Sequence, residues 1–137
     1  MILADTTFLI DCLRRKASVE TLLANHAGEI LFTTEINVFE LYLGIYSSRI
    51  LQENQQLCEK RVQTIKELMS RFQILPFARK EALESAKILG TLSRSGKPIQ
   101  FRDGLIAGIA KANGIFQIVT RDREHFERIE NIVAISY

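Results

Sequence analysis

The sequence predicts an α/β domain built on a parallel sheet covered by helices on both faces. Three observations carry this prediction. Four or five short apolar segments alternate with stretches of helical periodicity, the pattern left by strands buried on both sides. At 137 residues, with 47% hydrophobic and 25% charged, the chain fills one core and not two, so a single domain spanning residues 1–137 is expected. No apolar run approaches the ~20 residues of a membrane span, and repeats and low-complexity tracts are absent. The net charge of +2, from 18 Lys and Arg against 16 Asp and Glu, excludes a protein that coats nucleic acid by bulk charge. Cys12 and Cys58 stand apart, offering neither a disulfide framework nor a zinc knuckle. Asp5 and Asp11 follow the first residues too closely for a signal peptide. The expectation is a soluble, cytoplasmic protein.

Taken in order, Ile2-Leu3-Ala4 reads as a buried strand, followed by a helix from about Thr7 to Arg15 that runs into the cations Arg14-Arg15-Lys16. Ser18 opens a short helix that stops toward Gly28, and Ile30 to Thr33 reads as the second strand. Thr34 can cap a third helix through Phe39 and Leu43, which leaves at Ser47-Ser48. A long amphipathic stretch follows, with Leu51, Leu57, Cys58, Val62, Ile65, Leu68, Met69 and Phe72 on one stripe, and predicts an arm or a dimer surface. Ile74-Leu75 is a strand ended by Pro76; a helix from about Arg79 to Ser93 stops before Gly96-Lys97-Pro98. A helix from Asp103 to Asn113, a strand from Phe116 to Thr120, a helical turn from Arg123 and a strand from Ile132 to Ile135 complete the chain.

The acids are unevenly placed. Asp5 directly follows the first strand and Asp122 closely follows Thr120, the positions where open parallel sheets bind ligands. Helix N-capping explains either aspartate taken alone equally well. If the two strands are neighbours, however, the two carboxylates share one crevice. Glu40 lies beside the apolar face of its helix, near Ile36, Leu43 and Gly44, where a lone carboxylate costs several kcal/mol. Gly44 would admit another element close by, or simply serve helix packing. Asp103 shares a face with Ile106, Ala107 and Ala110, and the small residues Gly104, Ala107 and Gly108 predict a helix pressed tightly against the sheet. A first-turn aspartate is also favoured by the helix dipole.

Two carboxylates about 4 Å apart repel by roughly 4 kcal/mol near a protein surface, so a cluster of acids calls for a counter-charge. A hard divalent cation, Mg²⁺ or Mn²⁺, prefers oxygen ligands, and no His or Cys cluster offers a softer site. His26 and His125 read as surface or capping residues. Such a cation can polarise a phosphoryl oxygen, generate hydroxide and steady a leaving alkoxide, which points to phosphodiester hydrolysis. Arg102, Arg121 and Arg123 could offset the repulsion of a phosphate backbone, or be ordinary solvated charges. Other acidic and nucleotide sites do not match. A haloacid dehalogenase phosphatase would need an aspartate two positions after Asp5, where Thr7 stands, and a receiver domain would need one after the third strand, where Pro76 stands. Neither a P-loop nor a dinucleotide glycine motif is present.

Four segments together resemble the PIN-domain ribonucleases: Ile2-Leu3-Ala4-Asp5-Thr6-Thr7-Phe8-Leu9-Ile10, Thr34 to Gly44 with Glu40-Leu41, Arg102-Asp103-Gly104-Leu105-Ile106-Ala107, and Val119-Thr120-Arg121-Asp122-Arg123-Glu124-His125-Phe126. The resemblance spans nearly the whole chain, and the short length is most similar to VapC toxins of type II toxin–antitoxin pairs. It implies a three-layer α/β/α fold with about five parallel strands and a Mg²⁺-dependent endoribonuclease site. It also implies that Asp5, Glu40, Asp103 and Asp122 form an acidic metal-binding quartet, with Thr6 and Thr120 as supporting hydroxyls. Asp5 and Asp103 are expected to hold the metal most directly. Glu40 and Asp122 would complete the site, position water or bind a second ion, and cleavage would leave a 5′-phosphate and a 3′-hydroxyl. The partners implied are an RNA substrate, a cognate antitoxin whose C-terminal segment fills the active-site groove, and a second copy of the chain. Thr7 departs from the Asn or Ser common in the family, which questions one supporting hydrogen bond. Two alternatives are a housekeeping PIN nuclease of RNA processing, without a paired inhibitor, and a non-catalytic PIN scaffold.

Overall fold

A computed structural model describes residues 1–137. The order is β1 (Ile2–Ala4), α1 (Thr6–Leu13), α2 (Ala17–Asn25), β2 (Leu31–Thr34), α3 (Glu35–Tyr46), α4 (Arg49–Gln52), α5 (Gln55–Met69), β3 (Gln73–Leu75), α6 (Arg79–Arg94), α7 (Phe101–Ala112), β4 (Gln117–Val119), α8 (Arg123–Glu127) and β5 (Val133–Ile135). The five strands form one sheet in the order β3-β2-β1-β4-β5, and every pairing is parallel. The α/β/α architecture expected from the sequence is therefore the one observed.

β1 shows why the sheet needs cover on both sides. All three of its residues are buried. Ile2 and Ala4 point into one apolar core with α1, α2, α3 and α5. Leu3 points into the other, with α6, α7 and α8. The alternation is the strand's own period of two. β1 pairs with β4 in the register Ala4↔Val119, so the first strand and the strand before Asp122 are neighbours. Their boundary is also where the winding order of the sheet reverses, which opens a crevice at the carboxyl ends of the strands.

Several sequence expectations change in detail. The apolar stripe of the amphipathic stretch packs within the chain instead of projecting as an arm. It breaks into α4 and α5 at Asn54, whose side chain caps α5 by accepting from Leu57 N at 3.1 Å. Ile65, Leu68, Met69 and Phe72 are buried in the first core, with Leu51, Cys58 and Val62 packed against it. The stripe had a partner within the chain, namely α1 and α3. Helix α7 starts at Phe101, two residues earlier than expected, which places Asp103 at its third position. Its small residues meet α6 as well as the sheet: a Cβ at Gly108 would lie 2.6 Å from Ser85 Cα, and one at Gly104 would overlap the Leu89 side chain. At Gly44 nothing comes within 4 Å of a modest side chain's first atom, so that glycine admits no close neighbour.

Candidate active site

Asp5 follows β1 and caps α1, its Oδ1 accepting from Phe8 N at 3.1 Å. Capping is only part of its bonding. Thr7 Oγ1 donates to the same oxygen at 2.6 Å, and Thr120 Oγ1, one residue beyond β4, donates to Oδ2 at 2.6 Å. The bond questioned by Thr7 is thus made by its hydroxyl. Asp5 is 3% exposed. Burial pushes its carboxyl up to about 6; hydrogen bonds from Thr120, Thr7 and Phe8 oppose the rise, and the nearby charge of Asp103 adds to it.

Glu40 reaches the same region from the middle of α3. Its Oε1 accepts from Thr6 Oγ1 at 2.8 Å, and its Oε2 is 2.7 Å from Arg102 Nη1. Thr6 Oγ1 in turn accepts from Asn37 Nδ2 at 2.9 Å. Asn37 belongs to the capping box that starts α3, where its Oδ1 accepts from Thr34 Oγ1 at 2.7 Å and its backbone N donates back to Thr34 Oγ1 at 3.2 Å. The hydroxyl–amide chain thus fixes the approach of α3 to α1 and holds Glu40 by way of Thr6. The lone carboxylate predicted on an apolar face is not alone: its counter-charge comes from Arg102 at the start of α7.

Asp103 is 4% exposed. Its Oδ2 lies 2.7 Å from His125 Nδ1. This corrects the expectation for His125, which was read as a surface or capping residue; the readable signal was its place one turn after Asp122 on α8. His26 fits that expectation, lying 3.5 Å from Glu29. Asp122 stands at the start of α8, exposed, its side chain making no cap bond. Its backbone N donates to Thr120 Oγ1 at 2.9 Å, which ties it to the hydroxyl that serves Asp5.

The quartet is therefore brought to one end of the sheet without being drawn into a tight knot. No three His, Cys, Asp or Glu groups converge as a metal site. Arg102 and His125 each take one carboxylate oxygen instead. Arg123 pairs with Glu127 at 2.6 Å along α8, a surface charge pair. Arg121 turns to Asp11, at 3.1 Å. Asp11 is a further buried acid, and a carboxylate between Ile10 and Cys12 in an apolar helix is its signal in the sequence.

The five-stranded parallel sheet carries Asp5 and the turn before Asp122 at its switch point, and a family profile described as the PIN domain matches residues 2–132. The chain belongs to the PIN domain family. Its particular kin are VapC proteins: it is 29% identical over 126 residues to the tRNA(fMet)-specific endonuclease VapC of Shigella flexneri, covering 91% of this chain and 89% of that one. Among solved structures it is similar to FitAcB from Neisseria gonorrhoeae, with a TM-score of 0.84 and 27% identity over 98% of this chain and 96% of that one. A member of the VapBC family of toxin-antitoxin systems, VapBC-5 from Mycobacterium tuberculosis, shares the fold at a TM-score of 0.72 and 19% identity, covering 98% of this chain and 97% of that one.

Proposed function

We propose that the chain is the toxin of a type II toxin–antitoxin pair, an endoribonuclease that hydrolyses RNA phosphodiesters at the Asp5 site with Mg²⁺, or Mn²⁺, as cofactor. The observation that carries this reading is Asp5 itself. Burial lifts this carboxylate to about 6, with the second buried acid, Asp103, adding to the rise, and carboxylates perturbed in this way cluster where chemistry is done. The relatives support the same reading, since the matched Shigella flexneri protein is named an endonuclease.

The donor set fits a hard divalent cation, being oxygen throughout. Asp5 and Asp103 would hold it, with Glu40 and Asp122 completing the site. When bound, the cation would supply Lewis acidity toward the phosphodiester and a water of lowered pKa. The chain's own residues do the rest. Thr7 and Thr120 fix both oxygens of Asp5, Thr6 orients Glu40, and Arg102 sets positive charge beside Glu40 where a phosphate would approach.

The proposal extends to the partners. A cavity of about 440 Å³ between α1, α3 and α5 is lined by Ile10, Leu41, Ile45, Ile65 and also Glu40. A groove that joins apolar side chains to a site acid suits an inhibitory segment of a cognate antitoxin, as the toxin–antitoxin kin support. A homodimer is the proposed assembly.

The test is cleavage of a labelled structured RNA by purified protein with Mg²⁺, with EDTA, and by Asp5→Asn and Asp103→Asn. Cutting that needs the cation and falls at least about 100-fold in both variants is expected, the range of lost metal-assisted catalysis. Wild-type rates retained by Asp5→Asn would overturn the assignment, and absence of Mg²⁺ binding would favour the scaffold reading.

A further inference from the structure

Asp11 is fully buried on α1, takes no part in the site described above, and gathers three partners from three separate segments. Lys16 Nζ, from the loop after α1, lies 3.0 Å from its Oδ1. Arg121 Nε, from the turn after β4, lies 3.1 Å from its Oδ2. Tyr137 Oη, beyond β5, donates to the same Oδ2 at 2.7 Å, while its ring packs edge-on against Phe8 with centroids 5.0 Å apart. Burial alone would push the Asp11 carboxyl up, yet the Tyr137 hydroxyl, Lys16 and Arg121 outweigh it and hold the carboxyl below the usual range. An anion is thus maintained in the protein interior by groups that converge on it.

Arg121 links this anion to the site. It lies between Thr120 and Asp122, and both amides of that turn are held by hydroxyls that serve Asp5. Arg121 N donates to Thr7 Oγ1 at 3.0 Å, and Thr7 Oγ1 donates to Asp5 Oδ1 at 2.6 Å. Asp122 N donates to Thr120 Oγ1 at 2.9 Å, and Thr120 Oγ1 donates to Asp5 Oδ2 at 2.6 Å. The turn therefore clamps Asp5 from both sides while presenting Asp122 at the rim. A threonine hydroxyl has one proton to give and accepts along its lone pairs, so these relays hold only while the turn keeps its place. Besides the bond from Thr120 N to Ile135 O at 3.0 Å, which anchors the start of the turn to the sheet, its tie is the Arg121 side chain, which is half exposed and is drawn back into the protein by Asp11.

We propose that Asp11 is a positioning residue for the proposed nuclease reaction: through Arg121 it locks the Thr120–Asp122 turn, and so sets the hydroxyls on Asp5 and the place of Asp122. Lys16 and Tyr137 keep Asp11 ionised and correctly turned for that task. A purely structural staple would need Lys16 and Tyr137 but not a guanidinium taken from the turn beside a site acid. The inference rests on the nuclease reading for its catalytic consequence, while the locking of the turn stands on geometry alone.

The experiment compares wild type, Arg121→Gln, Asp11→Asn and the double variant. Amide hydrogen exchange at Arg121 (or its replacement) and Asp122 reports the lock, and RNA cleavage with Mg²⁺ gives kcat and KM. The expected result is exchange faster by about tenfold or more at those two amides in each single variant, with the rest of the sheet protected as before. In the same variants kcat should fall by about 10–100-fold with KM nearly unchanged, the loss typical of a supporting shell. The double variant should be no worse than the worse single one, because both changes cut the same tie. Unchanged exchange at the two amides, or losses that multiply in the double variant, would overturn the proposal. If Asp11→Asn fails to fold, Arg121→Gln decides by exchange and kcat, since its side chain lies at the surface. If wild-type protein does not cut RNA, the nuclease reading falls separately, and exchange alone decides whether Asp11 holds the turn.

Discussion

Burying Asp5 in the crevice shifts its proton equilibrium in a direction that stability measurements can detect. Its folded pKa of about 6 lies above the ordinary 3.8, so the folded chain binds this proton more tightly than the unfolded chain does. Between those two values the contribution of Asp5 to stability falls as pH rises; above about 6 the ionised carboxylate is a constant penalty of about 3 kcal/mol. Asp5→Asn removes that penalty. Thermal unfolding without divalent ions should show the variant more stable than wild type at pH 7.5, with the difference largely gone by pH 4; a variant less stable at pH 7.5 would contradict the burial argument. Added Mg²⁺ should raise the wild-type midpoint and leave Asp5→Asn unmoved, and the wild-type gain should shrink as pH drops below about 6, because the cation must displace the proton. The residue scale is also where the sequence was least complete. Asp5, Glu40 and Asp103 were legible because a carboxylate at a strand end or among apolar neighbours is anomalous by itself. The pairings of His125 and Asp11 were not legible, because their partners, Asp103 and Tyr137, lie 22 and 126 residues away.

Helix α7 can carry Asp103 into the crevice because its backbone runs close beside α6. Gly108 faces the backbone of Ser85, where a Cβ would lie 2.6 Å from Cα, and Ser85 Oγ donates to Leu105 O at 3.2 Å across the same contact. Gly108→Ala should therefore force the helices apart and destabilise the chain by about 1–3 kcal/mol. Gly104→Ala meets only the Leu89 side chain, which can turn aside, and should cost less. Urea unfolding of the two variants checks the order; equal midpoints would mean that α6 yields as easily at Ser85 as at Leu89. The capping box of α3 gives a second prediction at this scale. Thr34→Ala removes a cap worth about 1 kcal/mol and frees Asn37, whose amide supports Thr6 beneath Glu40. Cleavage should fall beyond what the stability change explains. Element identities were readable from periodicity and punctuation. The amphipathic stretch misled because an apolar stripe reports that something covers it, without saying whether the cover comes from the same chain; here α1 and α3 supply it.

At the scale of the whole molecule, the outer face left free lies on α3 and α4. Phe39 is 62% exposed, Leu43 50%, Tyr46 61% and Ile50 74%, and Tyr42 stacks on Tyr46 with centroids 6.4 Å apart. Contiguous apolar surface of this kind is characteristic of association. For the proposed homodimer, sedimentation equilibrium should give twice the chain mass at micromolar concentrations, and Leu43→Glu should return the monomer while leaving the unfolding midpoint close to wild type. A monomeric wild-type protein would remove the dimer from the proposal.

The sequence by itself determined the α/β class and the alternation of strands and helices, which follow from local periodicity and turn residues acting over a few positions. The family resemblance rests on four short segments, each legible as a run of neighbouring residues. The tertiary structure alone decided that β1 lies beside β4, which makes one crevice of Asp5 and the turn before Asp122. It also decided that Arg102 meets Glu40, His125 meets Asp103, and Asp11 holds Arg121. Each of these pairs joins residues distant in the chain, and their meeting depends on how the sheet winds, on helix packing distances and on side-chain direction. Residue types along a sequence constrain those quantities only collectively.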